Sequence, residues 1–219
     1  MERRVMDIED RQISLERGRI ARQADGAVIV RQNDTLVLVT AVAAPKARDD
    51  IGFFPLTVEY QEKAAAGGRI PGGFLKREGR ASEHEILSCR LIDRSVRPLF
   101  PPTFRSETQI IATVLSADDT AEPEVLAMIG ASAALQISDI PWGGPTAGVR
   151  IASRGGRLIP FPTREERLDA ELDLVVSVGR EGLVMVEGQA REIPEEHLVE
   201  ALLFAQQCAE PILAAQEAW

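Results

Sequence analysis

Lys76, Arg77 and Arg80 lie within five residues of one another, directly after Phe74 and Leu75, in a stretch that opens with Pro71-Gly72-Gly73. Cations neutralise phosphates and an aromatic ring stacks on a base, so this grouping has the chemistry to hold a single-stranded polyanion that carries bases. Just downstream, Arg90, Arg94 and Arg97 recur at spacings of four and three. At ~100° per residue this puts them on one helical stripe, with Asp93 beside it. Leu87 and Leu91 flank the stripe on one side, and Cys89, Ile92 and Val96 on the other. His84, Ser88 and Ser95 fall opposite. An arginine row between apolar flanks suggests guanidinium groups lining a cleft. The same arginines could serve as structural partners of Asp93, Glu83 and Glu78, and spacing alone leaves both readings open.

The elements that position these residues have their own signals. Ser82 with Glu85 three residues later is a capping box, so a helix starts there. Pro98 disfavours helical angles at Arg97 and should end it near Val96. Before it, Ile13 to Glu16 is a short strand candidate. Ala27 to Arg31 and Thr35 to Val42 form a hairpin across Asn33-Asp34. Lys46 to Asp50 is a charged loop. Phe53 to Tyr60 is extended, with Pro55 marking an edge or bulge, and Gln61 to Arg69 is a small, polar connection. Beyond it, three prolines make Leu99 to Phe104 irregular. Thr108 to Ser116 is a strand with a continuous apolar middle. Pro123 to Ser138 is an alanine-rich helix, with Gly130 allowing close packing. Ala147 to Ala152 and Leu158 to Phe161 are strands, and Leu172 to Val178 with Leu183 to Glu187 is another hairpin. An amphipathic helix runs from Glu195 onward, kinked or restarted at Pro211. Hairpins with interspersed helices, and no strict alternation of strand and helix, imply an α+β fold. The expectation is a mixed β-sheet with packed helices in a single domain, residues 1–219.

The chain has 219 residues, of which 45% are apolar and 27% charged, enough for a sizeable core. Cys89 and Cys208 have neither metal-ligand spacing nor a disulfide framework, which points to a reducing compartment and a cytoplasmic location. The first residues, MERRVMDIEDRQISLE, lack the apolar core of a signal peptide. No run approaches the ~18 apolar residues of a membrane span, so no membrane partner is expected. Net charge is −9, which argues against nucleic-acid binding over the whole surface. From Arg69 to Arg105, however, eight Lys and Arg residues face four carboxylates, a local +4 that leaves −13 for the remainder. Such a zone focuses an anion on one site while the body repels it.

Other candidates are weaker. Walker, dinucleotide-binding and zinc patterns are missing. His84 and His197 read as helix-surface residues rather than catalytic ones. Asp118-Asp119 reads as an acidic turn or, less favourably, a metal pair. Asp173 opens an apolar strand and is either a turn residue or part of a site.

The residues so far stop at a mixed domain with a cationic, aromatic-bearing loop and helix. Four stretches carry a resemblance further: residues 18–30; residues 52–101 with FFPLTVEY, GGFLKREGRASE and RLIDRSVRPLFP; residues 112–141; and residues 172–190. Together they resemble the first core domain of the polynucleotide phosphorylase family, in the family's order and over essentially the whole chain. The resemblance implies a ribonuclease-PH-like fold and the N-terminal half of a phosphorolytic 3′-to-5′ exoribonuclease and polyribonucleotide nucleotidyltransferase. The C-terminal end would begin a linking helical region. In the family the second half carries the chemistry, through an Asp-x5-Asp-x-Lys pattern that supports Mg²⁺ and a serine run that holds phosphate, the co-substrate. Here the matching positions read Arg167, Asp173 and Val175, and Thr120-Ala121-Glu122-Pro123-Glu124 stands where the serines would be. One carboxylate is a poor Mg²⁺ site, so this half is expected to hold no metal and no catalytic residue, Asp173 being only a residual match. The resemblance assigns RNA contact to Phe74, Leu75, Lys76, Arg77 and Arg80, the family's pore loop, where Leu75 replaces a second ring. Arg90, Arg94 and Arg97 match its basic positions. It also implies single-stranded RNA, a homotrimeric ring and an RNA-degradation complex as partners. The alternative is a non-catalytic oligomerisation module whose basic patch makes subunit contacts.

Overall fold

The computed structural model describes residues 1–47 and 52–219. Part of the charged loop expected at Lys46 to Asp50 lies outside the described residues. Among the described residues ten strands form two sheets. The first contains β1 (Glu2–Ile8), β2 (Arg11–Arg17), β3 (Gly26–Gln32), β4 (Thr35–Ala43), β5 (Leu56–Glu62) and β6 (Thr108–Ser116), in the order β1-β2-β3-β4-β6-β5. The second contains β7 (Thr146–Arg154), β8 (Arg157–Pro160), β9 (Leu172–Gly179) and β10 (Gly182–Ala190), in the order β10-β9-β7-β8. The helices are α1 (Glu83–Val96), α2 (Pro123–Gln136), α3 (Arg164–Leu168) and α4 (Glu195–Glu217). The fold is α+β, and its strands divide between two sheets rather than one.

The β3–β4 hairpin turns at Asn33, whose φ of +52° lies in the left-handed region that asparagine tolerates. Along β4, Val37, Val39 and Ala41 are buried at every second position, as one face of a sheet requires. Strand β5 is the edge of its sheet and runs parallel to β6, and Pro55 immediately precedes it. Strand β1 gives little sequence signal because only Met6 and Ile8 of its side chains are buried.

Helix α2 lies between the two sheets. It is buried on all sides, from Glu124 to Leu135, as a helix apolar all round must be. Gly130 permits this, since a β-carbon there would stand 2.4 Å from Val39 Cγ2 and 2.9 Å from Val30 Cγ2. On the second sheet a β-carbon at Gly148 would stand 2.8 Å from Met128 Cβ. Helix α4 covers β7, β9 and β1 with Ala201, Ala205, Ala209, Ile212 and Leu213, and continues through Pro211. By length and mean hydropathy (1.3) alone it is long and apolar enough to cross a bilayer, although its apolar residues form no unbroken run. A buried polar triangle ties these layers. Ser132 Oγ donates to Gln216 Oε1 (2.6 Å), Gln216 Nε2 to the Thr146 carbonyl (2.9 Å), and the Thr146 N–H to Ser132 Oγ (2.8 Å). Each buried polar group in it has a partner, the condition for such a network to stabilise.

Candidate nucleic-acid interface

The capping box forms at α1: Ser82 Oγ accepts the Glu85 N–H (3.2 Å) and Glu85 Oε2 accepts the Ser82 N–H (2.7 Å). The helix ends at Val96, but Arg97 keeps helical angles (φ −54°, ψ −43°) despite Pro98. The chain tightens into a 3₁₀ turn over Arg97–Leu99 instead of breaking. The buried face of α1 is Ser88, Ile92, Ser95 and Val96. Both serines satisfy their hydroxyls on the helix itself, Ser88 at the His84 carbonyl (2.9 Å) and Ser95 at the Ile92 carbonyl (2.7 Å).

That face corrects one expectation. Arg90, Arg94 and Arg97 do not line a cleft; they stand on the outer surface of the helix. Small hydroxyl-bearing residues make the close packing contact, and the flanking Ile86 and Leu87 are about half exposed. Arg94 pairs with Glu187 of β10. Arg97 pairs with Asp93 (2.5 Å) and donates to the Phe54 and Leu56 carbonyls (3.3 and 3.2 Å). The bond to Asp93, together with its charge, holds the Arg97 guanidinium above its ordinary value. Arg90 has no ion-pair partner among the described residues.

The Phe74–Arg80 loop projects from the body. Phe74 is 99% exposed and Leu75 72%. Lys76, Arg77 and Arg80 are exposed and form no ion pair among the described residues. Gly73 (φ +75°) and Lys76 (φ +50°) take left-handed angles, which turn the loop outward. Its base is pinned. Glu78 Oε1 accepts the Ala64 N–H (3.0 Å) and Glu85 Oε1 accepts the Glu62 N–H (2.9 Å). Glu62 in turn takes His84 Nδ1 (3.1 Å) and the Tyr60 hydroxyl (2.8 Å). The His84 bond lowers the Glu62 carboxyl, and the same bond raises the His84 imidazole above its ordinary value. His84 is therefore a positioning residue at the root of the loop, while His197 bonds Ser153 Oγ (2.8 Å) at the other sheet.

Glu122, Glu124, Arg150, Arg167 and Asp173 form a charged cluster drawn from separate segments of the chain. Arg150 Nε and Nη2 donate to the two Asp173 oxygens (2.8 and 2.9 Å), and Nη1 to Glu124 Oε1 (2.9 Å). Arg167 bonds Glu122 Oε1 (2.5 Å) and reaches Asp173 Oδ2 (3.4 Å). Two guanidiniums thus face three carboxylates. Burial raises the Asp173 carboxyl, but the Arg150 bonds and charge, with Arg167, outweigh it and hold the group below its ordinary value. With both oxygens engaged by arginine, Asp173 is a structural ion-pair member and does not fit a Mg²⁺ site. Among the described residues no group of three or more His, Cys, Asp or Glu is placed to hold a metal. Asp118 caps a turn, accepting the Asp34 and Thr120 N–H groups (2.9 and 2.8 Å).

Glu122 goes the other way. Burial and the adjacent Glu124 raise its pKa to about 7, against the pull of Arg167 and Arg150. In the unfolded chain it titrates near its ordinary 4.5. Between those values the folded state holds the extra proton, so this contribution to stability is full below pH 4.5 and lost as pH rises through 7. Glu122→Gln should abolish a decline on the order of 3 kcal/mol over that window, measured by urea unfolding at pH 4.5, 6 and 8. An equal pH dependence in the variant would contradict this.

Residues 9–141 match the family model described as 3′ exoribonuclease family, domain 1, and residues 144–208 match domain 2 of the same family. The chain is 54% identical over 204 residues to a polyribonucleotide nucleotidyltransferase of Citrifermentans bemidjiense, covering 93% of this chain and 29% of that protein. It is 54% identical over 208 residues to the one from Anaeromyxobacter dehalogenans, covering 95% and 29%. It therefore spans under a third of the length of these relatives. Among solved structures, rice Rrp46 aligns with a TM-score of 0.73 at 16% identity, covering 93% of this chain and 92% of that one. A chain of the Archaeoglobus fulgidus exosome with RNA bound to the active site aligns with a TM-score of 0.72 at 18% identity, covering 91% and 86%. At these identities the structural likeness establishes the fold.

Proposed function

Because the chain belongs to the 3′ exoribonuclease family, we propose that it is the N-terminal core domain of a phosphorolytic polyribonucleotide nucleotidyltransferase, a half that guides RNA and does not cut it. The observation that carries this reading is the projecting loop, with its fully exposed ring at Phe74 and three cations at Lys76, Arg77 and Arg80 that form no ion pair among the described residues. Phosphate as co-substrate and Mg²⁺ belong to residues outside this chain, since Asp173 is committed to arginine and Glu122 and Glu124 would repel phosphate. A homotrimeric ring, an RNA-degradation complex as a further partner, a linking helical region at the C-terminal end and a cytoplasmic location complete the proposal.

Replacing Lys76, Arg77 and Arg80 together by alanine in the full-length protein should weaken poly(A) binding. It should also make the slope of log K against log salt shallower by about 2, since each contact with a single strand contributes ~0.7. Unchanged affinity and slope would remove the loop from the RNA path. Phe74→Ala should cost about 1–3 kcal/mol of binding with the salt slope intact, because stacking releases no counterions.

A second reading holds for α1. Arg94 and Arg97 are internally paired, and the exposed Ile86 and Leu87 stand beside Arg90. An apolar pair on a helix surface suits coverage by protein rather than by RNA. Ile86→Ser with Leu87→Ser should lower the oligomeric state on sizing while leaving RNA binding by the loop in place. Loss of RNA binding with the assembly intact would favour an RNA role for this face instead.

A further inference from the structure

A cleft of about 930 Å³ opens between the end of β5, the β6–α2 connection and α3, and none of the residues Phe74 to Arg80 lines it. Its lining carries two opposed characters. Glu62, Asp118, Asp119, Glu122 and Glu124 supply carboxylates. Arg167 is held by Glu122 and Asp173, while Lys63, Arg69 and Arg164 supply cations that form no ion pair among the described residues. Glu124 is only 4% exposed. Its Oε1 accepts from Arg150, but Oε2 is buried without a hydrogen-bond partner. An acceptor left this way costs free energy until a donor reaches it. Ala64, Ala66, Ala117 and Ala121 keep much of the remaining wall low, and the His84 imidazole offers a flat ring.

We propose that this cleft takes one nucleoside monophosphate, free or as a unit of an RNA strand, with an amino-bearing base turned to Glu124 and the phosphate held by Lys63, Arg69 and Arg164. The proposal rests on the RNA reading for the identity of the polymer and on the cleft for its chemistry. A bare phosphate would meet the carboxylates, and a polyamine would meet the cations; a nucleotide offers donors at one end and an anion at the other. The volume lies in the range of small-molecule sites. A carboxylate accepts the N4 amino group of cytosine, whereas uracil presents a carbonyl oxygen at the same position. Cytidine and uridine monophosphate are otherwise nearly the same size, so the pair isolates that one contact.

Isothermal titration of the chain with CMP, UMP and inorganic phosphate tests this. The expected result is CMP binding about tenfold or more tighter than UMP, and tighter than phosphate. Glu124→Gln should bring the CMP-to-UMP ratio to about one or below, and Lys63→Ala with Arg164→Ala should weaken both nucleotides alike. The second pair is at the surface and keeps the test open if Glu124→Gln does not fold. Equal binding of CMP and UMP, equal binding of CMP and phosphate, or an unchanged ratio in Glu124→Gln overturns the proposal. A short oligocytidylate that displaces CMP assigns the site to a strand, and one that does not assigns it to free nucleotide. The Lys76, Arg77 and Arg80 triple variant should keep CMP binding. Loss of long-RNA binding in that variant with CMP retained separates the cleft from the loop, and long-RNA binding without any CMP binding rejects the cleft alone.

Discussion

Arg150→Leu should lower the unfolding free energy by about 3–5 kcal/mol at pH 8, the usual cost of stripping one partner from a buried ion cluster. Arg150 is the hub: it bonds both oxygens of Asp173 and one of Glu124, and lies 3.5 Å from Glu122. Its side chain is 14% exposed, so water replaces little of what is lost. Without it, Arg167 alone faces three carboxylates. The direction with pH follows from the charges. Carboxylates that have lost their cation take up protons more readily, so the variant should recover part of its stability at pH 5. The wild type also gains toward pH 5 through Glu122, so the loss is read as the difference between the two chains at each pH. Asp173, stabilised as an anion, loses its contribution only as pH falls below its ordinary 3.8. Urea unfolding of both chains at pH 5 and 8 measures the effect. A loss under 1 kcal/mol at pH 8, or a larger loss at pH 5, would show that the cluster does not act as a charge-balanced unit.

Gly26→Ala should cost about 3 kcal/mol or more, at the upper end of what overpacking does. A β-carbon at Gly26 would stand 1.9 Å from the Ala134 carbonyl oxygen and 2.8 Å from its carbon. The obstacle is the backbone of α2, which cannot rotate aside as a side chain can. Because α2 is held between both sheets, moving it disturbs Gly130 against Val39 and Met128 against Gly148 together. Gly79→Ala is the control: no atom lies within 4 Å of the added carbon. It should change stability by no more than about 0.5 kcal/mol. Thermal unfolding of the two variants side by side decides the matter, and similar midpoints would mean that α2 can shift freely.

Hairpins β3–β4 and β9–β10 were legible because their strands and turns are contiguous in sequence, and so was the start of α1, because a capping box spans only four residues. The exposed loop was legible for a related reason: Phe74, Lys76, Arg77 and Arg80 are neighbours in the chain and need no distant partner to be seen together. Strand β1 was missed because its charged residues face solvent and only two side chains reach the core. The arginine stripe of α1 was placed correctly on one face, but its surroundings were misjudged. Ser88 and Ser95 look like surface residues in sequence, yet hydroxyls satisfied within the helix can be buried at close contact.

By itself the chain's order of residues determined the α+β class, the local elements, the basic zone on an acidic body and, by resemblance, the family. Only the tertiary structure decided which charges are free to meet a ligand. Arg94 finds Glu187 across 93 positions, Arg167 finds Glu122 across 45, and Arg150 finds Glu124 across 26. Pairing follows distance in space, and no local period encodes contacts between segments brought together by two sheets closing on α2. The same closure buries Glu124 with an oxygen unspent, while Lys76, Arg77 and Arg80 stay in solvent because their loop lies outside both sheets.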